Sequence, residues 1–222
     1  MIQFQQVSKR YRDKTALDNA NFHLPRGAMA FLTGHSGAGK STLLKLIMHM
    51  EQPTNGKVIV DQQDLSQLNR HQIAMHRRKI GLVFQNHQLL GDYTVYDNIA
   101  LPLKVSGYNN RDAGRRVRAA LDKVGLLDKE RQYPEVLSTG EQQRIGIARA
   151  IVNKPRLILA DEPTGNLDPK LSAEIMQLFE QFNQVGVSVL IASHDLALIE
   201  RMGHPKIQLH QGRLSGAFVG AN

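Results

Sequence analysis

The stretch that decides the fold reads Ala28-Met29-Ala30-Phe31-Leu32-Thr33-Gly34-His35-Ser36-Gly37-Ala38-Gly39-Lys40-Ser41. Its part from Gly34 to Ser41 fits the phosphate-binding loop pattern G-x-x-x-x-G-K-[ST] without a mismatch. The apolar run before the loop predicts a strand, and Lys40 to Met50 predicts a helix, which is the context that such a loop requires. The sequence therefore predicts a P-loop nucleotide-binding fold.

The residue types of this loop suit the phosphates of ATP. Its glycines let successive backbone N–H groups turn inward, and the positive end of the following helix adds attraction for anions. Lys40 is expected to reach the β- and γ-phosphates, and Ser41 to supply a hydroxyl ligand to Mg²⁺. We therefore expect ATP and Mg²⁺ as cofactors, with Gly34 to Ser41 and the adjacent Thr42 contacting the nucleotide.

Three more short apolar runs predict buried parallel strands, at residues 80–84, 157–160 and 187–192. Residues 16–24 alternate between apolar and polar side chains, which predicts a half-buried strand near the N-terminus. We expect an α/β fold with a mainly parallel core sheet, an N-terminal antiparallel β region and an inserted α-helical subdomain. The whole chain, 1–222, is expected to form a single domain, with the helical subdomain at roughly 87–152.

Within a helical stretch at about 112–152, apolar and basic residues fall on two faces of one predicted helix. The apolar face carries Ala113, Val117, Ala120, Leu121 and Val124, whereas the basic residues Arg115, Arg116, Arg118 and Lys123 lie largely opposite. The simpler interpretation is a solvated basic face, and a specific ligand for the arginines is the alternative.

Four side chains at the ends of the predicted strands suggest hydrolytic chemistry. Asp161 ends an apolar run, where P-loop NTPases place an aspartate in the Mg²⁺ shell. Glu162 follows directly and can orient or deprotonate a water that attacks the γ-phosphate. Gln85 can contact both Mg²⁺ and that water, and His194 can reach the γ-phosphate. The predicted catalytic residues are Glu162, His194, Gln85 and Lys40, and the predicted Mg²⁺ ligands are Ser41, Gln85 and Asp161.

The run Leu137-Ser138-Thr139-Gly140-Glu141 supports two compatible interpretations. Ser138 and Glu141 have the spacing of a capping box, which predicts a helix start. A serine hydroxyl and backbone N–H groups at a helix N-terminus also form an anion site.

Taken in order from Tyr11 to His194, these motifs resemble the ATP-binding-cassette ATPases. The resemblance implies that Tyr11 stacks on adenine and that Ser138, Thr139, Gly140 and Glu141 form the signature that binds the γ-phosphate of ATP held by another subunit. It also implies that Asn166-Leu167-Asp168 crosses the interface between subunits. Because the chain carries one loop and one signature, a head-to-tail homodimer is expected.

Within this family the chain is most similar to the ATPases of bacterial cell division. The similarity rests on runs at 30–40, 94–103, 121–129 and 161–168. It implies an integral membrane partner, divisome proteins beyond it, and a peripheral location on the cytoplasmic face of the inner membrane at the septum. ATP-driven closure of the dimer would then regulate septal peptidoglycan hydrolysis, and residues of about 86–103 would form the groove for a helix of the partner.

Two features leave alternatives within the family. Lipoprotein- and macrolide-export ATPases share Glu141 and much of 161–168, so an export subunit is the alternative function. The family signature usually has glycine where this chain has Thr139. A β-branched residue at a close approach to phosphate is expected to leave dimer closure in place but to weaken it.

Composition limits the remaining classes. The 222 residues include no cysteine, so disulfide and thiolate chemistry are excluded, and no apolar run or leader predicts a membrane span or a signal peptide. The formal net charge of +8 favours polyanions such as anionic lipid, nucleotides or nucleic acid. No specific nucleic acid is expected, because aromatic residues, which would stack on bases, are only 5% of the chain. The chain also lacks the long coiled coil of DNA-repair cassette proteins and the second cassette of those that act in translation. A binding module without turnover is disfavoured by Glu162.

Overall fold

The computed structural model describes residues 1–12 and 14–220 and consists of ten strands and seven α-helices in this part of the chain. The strands are β1 (Ile2–Tyr11), β2 (Lys14–Leu24), β3 (Met29–Thr33), β4 (Asn55–Val60), β5 (Gln63–Asp64), β6 (Ile80–Val83), β7 (Leu157–Asp161), β8 (Ser188–Ala192), β9 (Lys206–His210) and β10 (Arg213–Gly216). The helices are α1 (Lys40–Ile47), α2 (Arg70–Arg78), α3 (Val95–Val105), α4 (Asn110–Lys123), α5 (Thr139–Ile151), α6 (Pro169–Gln184) and α7 (Leu196–Met202).

Two sheets carry the architecture. The central sheet has the order β10-β9-β3-β8-β7-β6, and all its pairs are parallel except β10 with β9. The second sheet has the order β2-β1-β4-β5 and is antiparallel throughout. The predicted fold class is thus confirmed, with a mainly parallel core sheet, an N-terminal antiparallel region and a group of helices, α3 to α5, inserted between β6 and β7.

The central strands are continuously apolar because both faces of their sheet are buried. Phe31 and Ile191 point into a core shared with α3 to α6, whereas their neighbours Leu32 and Leu190 point into a second core shared with α1 and the antiparallel sheet. All four side chains have no exposed surface. Burial of this kind contributes roughly 1.5–3 kcal/mol per large apolar side chain. Two cores therefore hold the carboxyl ends of the parallel strands in place.

The predicted helical stretch at 112–152 is interrupted in the structure. Helix α4 ends at Lys123, and Gly125, with φ at 70°, turns the chain away. Two short 3₁₀ turns, Leu127–Lys129 and Pro134–Val136, precede α5, whose N-terminus is capped by Ser138. The basic and apolar faces predicted for the first part belong to α4 and to Val124, which directly follows it, and all five apolar residues are buried.

Helix α1 ends at Ile47, three residues before the predicted Met50. His49 has φ at 49°, in the left-handed region, so the helix cannot continue through it. Side chains of α2 contact the free carbonyl groups at the end of α1. His76 Nε2 lies 2.8 Å from the Ile47 oxygen, and Arg77 Nε donates to the Met48 oxygen at 3.1 Å.

Candidate nucleotide site

The loop between β3 and α1 can follow its path only with glycine at two positions. Gly34 has φ at 155°, and a Cβ there would lie 2.4 Å from the carbonyl oxygen of Leu209. Gly39 has φ at 111°, and its Cβ would lie 2.5 Å from the carbonyl oxygen of Ala16. Any side chain would therefore collide with the backbone of β9 or β2. The loop is held between these two strands, and Ala38 packs into the core beneath it.

Lys40 holds its ammonium group inside the loop. Nζ donates to the carbonyl oxygen of Gly34 at 2.7 Å and to that of His35 at 3.4 Å. It also lies 3.4 Å from Oε1 of Glu162, while only 8% of the lysine is exposed. The cation is thus fixed at the centre of the loop, where the anionic phosphates of a nucleotide would be attracted.

Glu162 occupies a strained backbone position beside this lysine. Its φ is 48°, which costs a non-glycine residue roughly 1–3 kcal/mol. Its N–H donates to the carbonyl oxygen of Ala192 at 2.9 Å, which ties the end of β7 to the end of β8. Oε2 lies 2.9 Å from Nδ1 of His194 and accepts from the His194 N–H at 3.3 Å. Strained residues of this kind cluster at functional sites.

A pocket of about 330 Å³ opens between the loop and the strand ends. Predicted site residues make up most of its lining: Tyr11, Ser36, Gly37, Gly39, Lys40, Ser41, Thr42, Gln85, Asp161 and Glu162. Gly34, His35 and Ala38 do not line it: the carbonyl groups of Gly34 and His35 accept from Lys40, and Ala38 is buried in the core. The structure therefore brings together the predicted phosphate and catalytic residues, with His194 attached through Glu162.

The predicted Mg²⁺ ligands lie together in this pocket. Ser41 offers a hydroxyl oxygen, Gln85 an amide oxygen and Asp161 a carboxylate. Oxygen donors with few carboxylates suit Mg²⁺, which keeps several of its own waters when it binds phosphates. The donor set thus fits the ion, and its assignment stays a prediction.

Tyr11 is positioned by two charged residues. Its hydroxyl donates to the Glu51 carboxylate, and Lys9 Nζ lies 4.9 Å from the centre of its ring. Lys9 also approaches Glu51 at 3.2 Å. Burial and the bond to Glu51 raise the pKa of the Tyr11 hydroxyl, so it remains a hydrogen-bond donor at neutral pH. The ring is restrained at the pocket wall, where adenine is predicted to stack.

The signature residues lie at the start of α5 and do not line the pocket of their own chain. The predicted capping box is confirmed: Glu141 Oε2 accepts from the Ser138 N–H at 2.9 Å and from its hydroxyl at 2.8 Å. The Ser138 N–H, followed by the Ser138 hydroxyl, lowers the pKa of Glu141, which is therefore ionised at neutral pH. The signature thus lies apart from the nucleotide pocket of its own chain, and its role toward a nucleotide stays a prediction.

The loop at 166–168 is joined to the signature by packing. Asp168 caps α6 by accepting from the N–H groups of Lys170 and Leu171 at 3.0 Å. Leu171 in turn lies against Gly140, where a Cβ would meet its Cδ2 at 2.2 Å. Thr139 is exposed and begins α5 in a helical conformation, so its side chain causes no backbone strain. Any effect of Thr139 must therefore arise at the contact with a ligand.

Several residues of this region were missed by the sequence interpretation. Lys14 and Ala16 line the pocket, and Lys14 Nζ lies 3.9 Å from where a Cβ on Gly37 would stand. Arg149 donates to the carbonyl oxygens of His87 and Gln88 at 2.6 and 2.7 Å, which braces the segment after Gln85. A basic residue shortly after Tyr11 is a local signal for Lys14, whereas the contacts of Arg149 span about sixty positions and leave no local pattern.

Comparison with known proteins agrees with this geometry. Residues 17–165 match the family described as ABC transporter. The chain is 56% identical over 217 residues to the cell division ATP-binding protein FtsE of Escherichia coli (strain K12), covering 97% of this chain and 98% of that protein. It also resembles the dimeric structure of MJ0796, a bacterial ABC transporter cassette, with a TM-score of 0.88, 35% identity and coverage of 97% of both chains. A dimeric post-hydrolysis state of MJ0796 bound to ADP and Pi gives the same TM-score at 34% identity and 97% coverage of both chains.

The Glu162→Gln substitution should separate binding from turnover. We expect ATP to bind at least as tightly, because the amide no longer competes for Lys40. Turnover should fall on the order of 10²-fold or more, because a general base is lost. Phosphate release and equilibrium nucleotide binding measure the two quantities, and Lys40→Ala should weaken binding itself.

Glu180→Gln is the matched control, since Glu180 forms another glutamate–histidine pair, 3.4 Å from His204, away from the pocket. It should leave turnover unchanged. Near-normal turnover of Glu162→Gln would show that another residue activates the water.

The Tyr11–Glu51 hydrogen bond should contribute to ATP affinity. Glu51→Ala and Tyr11→Phe are each expected to weaken ATP binding roughly threefold to tenfold, because each removes a bond of about 1 kcal/mol that restrains the ring. The double variant should be no weaker than the poorer single variant, since both act through one contact. Titration calorimetry with a non-hydrolysable ATP analogue measures all three. Strictly additive losses would mean that Glu51 acts independently of Tyr11.

Replacing Thr139 should strengthen closure across the dimer. We expect Thr139→Gly to raise both the ATPase rate and the ATP-dependent dimer affinity several-fold, because backbone can then approach phosphate more closely. Thr139→Ser removes only the methyl group and should lie between glycine and the parent. Identical rates and identical dimer affinities for all three proteins would rule out a steric role for Thr139.

Proposed function

The chain belongs to the ABC transporter family, and from that premise we propose that it is the ATP-hydrolysing subunit of an FtsE–FtsX-type membrane complex in bacterial cell division. The grouping of Lys40, Glu162 and His194 at one loop is the observation that carries the hydrolytic part of the proposal. Near full-length similarity to FtsE supports the cell-division part and disfavours the export alternative.

In this proposal each residue acts on one part of the reaction ATP + H₂O → ADP + phosphate. Lys40 and the loop N–H groups bind the β- and γ-phosphates, and Tyr11 stacks on adenine. Glu162 accepts a proton from the attacking water. His194 orients the carboxylate of Glu162 and contacts the γ-phosphate. Ser41, Gln85 and Asp161 would hold Mg²⁺, which would supply positive charge to neutralise the phosphates.

The working unit is proposed to be a head-to-tail homodimer. The signature at Ser138 to Glu141 lies outside the pocket of its own chain, so a second copy has to supply it. The similarity to dimeric cassettes supports the same arrangement. Asn166, Leu167 and Asp168 would then lie between the two copies, because Leu171 packs the following helix onto Gly140.

A second groove, of about 500 Å³, is suited to a helix of the membrane partner. We call it the partner groove; it is lined by Met48, Met50, Ala74, Arg77, Arg78, Ile80, Leu82, Phe84, Leu101, Pro102, Val105, Arg149, Ala150 and Asn153. The segment at 86–103 contributes only Leu101 and Pro102, and the other lining residues lie in α2, β6, α5 and the end of α3 or shortly after α1, β6 and α5. Exposed apolar side chains such as Val105 and Met50 favour a protein partner with an apolar helix face.

We further propose that residues 1–222 act as one cassette whose helical part, roughly 87–152, faces the partner. No helix within the described residues has the length and apolar character needed to cross a bilayer. A peripheral position on the cytoplasmic face of the inner membrane, at the septum, is proposed to come from the FtsX-type partner. Divisome proteins beyond that partner would receive the signal that controls peptidoglycan hydrolysis.

Co-purification from solubilised membranes with ATP tests this function. The Glu162→Gln background keeps the nucleotide bound, and we expect it to recover an FtsX-type integral membrane protein. Adding Val105→Glu should abolish recovery, because a charge on a side chain 57% exposed in the partner groove would oppose an apolar helix.

Leu127→Glu is the matched control, since Leu127 is an apolar residue 43% exposed in the same helical part of the chain and outside the groove. It should leave recovery unchanged. Equal recovery with Val105→Glu would contradict the proposed docking site, and recovery of a lipoprotein or drug export permease would replace the cell-division function.

A further inference from the structure

A third groove borders the helical part and has no role in the function proposed above. It measures about 650 Å³ and is formed by α4, the C-terminal end of α6 and the chain around 151–158. It shares no lining residue with either the nucleotide pocket or the partner groove. We call it the basic-rimmed groove.

The floor of the basic-rimmed groove is apolar and partly open to solvent. It includes Ala119, Ile151, Phe182, Val185 and Val187. Val185 is 77% exposed, the highest value among the large apolar side chains in the described part of the chain. Contiguous exposed apolar surface of this kind is uncommon outside interaction sites.

The rim of the groove carries charge of one sign only. Its four charged residues are Arg115, Arg116, Lys123 and Lys154, and no carboxylate of the described residues lines it. Arg115 is paired with Asp112 at 2.7 Å, and Arg116 lies over the ring of Tyr108 at 4.6 Å. Lys123 and Lys154 form no ion pair with any described residue. The groove therefore combines unneutralised positive charge with an apolar floor.

We propose that the basic-rimmed groove binds an acidic, amphipathic segment of another protein, with large apolar side chains on the floor and Asp or Glu beside Lys123 and Lys154. Such a segment would contact both the apolar floor and the positive rim. Burial of apolar surface would supply affinity, and opposite charges would supply selectivity. A volume of about 650 Å³ lies within the range of pockets that hold several side chains or a small ligand.

Other occupants use only part of the site. A flat anionic membrane would contact the rim without filling the concave floor, and nucleic acid would leave the apolar floor without a partner. A second copy of this chain, with a formal net charge of +8, would bring further positive charge toward the rim. Charge complementarity thus favours an acidic peptide segment over these alternatives.

Peptide display on the complete protein tests the proposal. A random 16-residue library is selected on the parent chain and counter-selected on Val185→Asp, and enriched peptides are measured by fluorescence polarisation. We expect enriched peptides to combine Asp or Glu with large apolar residues. Their affinity should fall at least tenfold in Lys123→Glu/Lys154→Glu and should weaken with rising salt.

The matched control is Arg70→Glu/Arg131→Glu, which changes the net charge equally at exposed residues outside the groove. It should bind the peptides like the parent, and all variants should keep the circular dichroism spectrum and melting temperature of the parent, which verifies folding independently of the proposed function.

Failure to enrich peptides that depend on Val185 would overturn the proposal, as would equal loss of affinity in both charge variants. Binding to vesicles of anionic lipid that is lost in Val185→Asp and in Lys123→Glu/Lys154→Glu, but not in the control, would also overturn it, because the groove would then be a membrane contact.

Discussion

The nearly buried charge of Lys40 is the constraint on which the pocket depends. An ammonium group removed from water is unstable unless partners neutralise and hydrogen-bond it. The Gly34 and His35 carbonyls and the Glu162 carboxylate fulfil this requirement. ATP phosphates carry denser negative charge than a carboxylate, so we infer that ATP competes with Glu162 for Lys40. Binding would then free the carboxylate for the attacking water and couple catalysis to occupancy of the loop.

Much of the fold and of the candidate site could be predicted because its signals are local. The runs before Gly34, Gln85, Glu162 and His194 are mostly apolar, as expected for strands buried on both faces. Parallel strands place their carboxyl ends at one edge, so side chains that follow those runs are expected to meet there. The structure confirms this convergence and the capping box at Ser138, whereas the chemical roles of these residues stay predictions.

The remaining features depend on contacts between distant segments. Tyr11 is restrained by Glu51, forty positions away, and Lys14 reaches the loop only because β2 runs beside it. Helix α3 lies within the helical part expected at roughly 87–152 but was not predicted as a separate helix, and Pro102 inside it disfavours a helix when the sequence is considered alone. Strand β9 and the edge strand β10 were missed because both are short: Lys206 to His210 alternates polar and apolar residues over only five positions, and β10 has four residues. Contacts between segments distant in the sequence determine the positions of these side chains and the presence of these elements.

Arg149 links the nucleotide pocket to the partner groove. It lines that groove and also holds the His87 and Gln88 carbonyls, next to Gln85, while its helix begins at the signature. We infer that a movement of α5 would shift the lining of the partner groove and the segment next to Gln85 at the same time.

The most direct test of the account is the mass of the Glu162→Gln variant in solution, measured by light scattering with ATP or with ADP. The account predicts twice the monomer mass with ATP and the monomer mass with ADP. A monomer at saturating ATP would contradict the composite site formed by two copies.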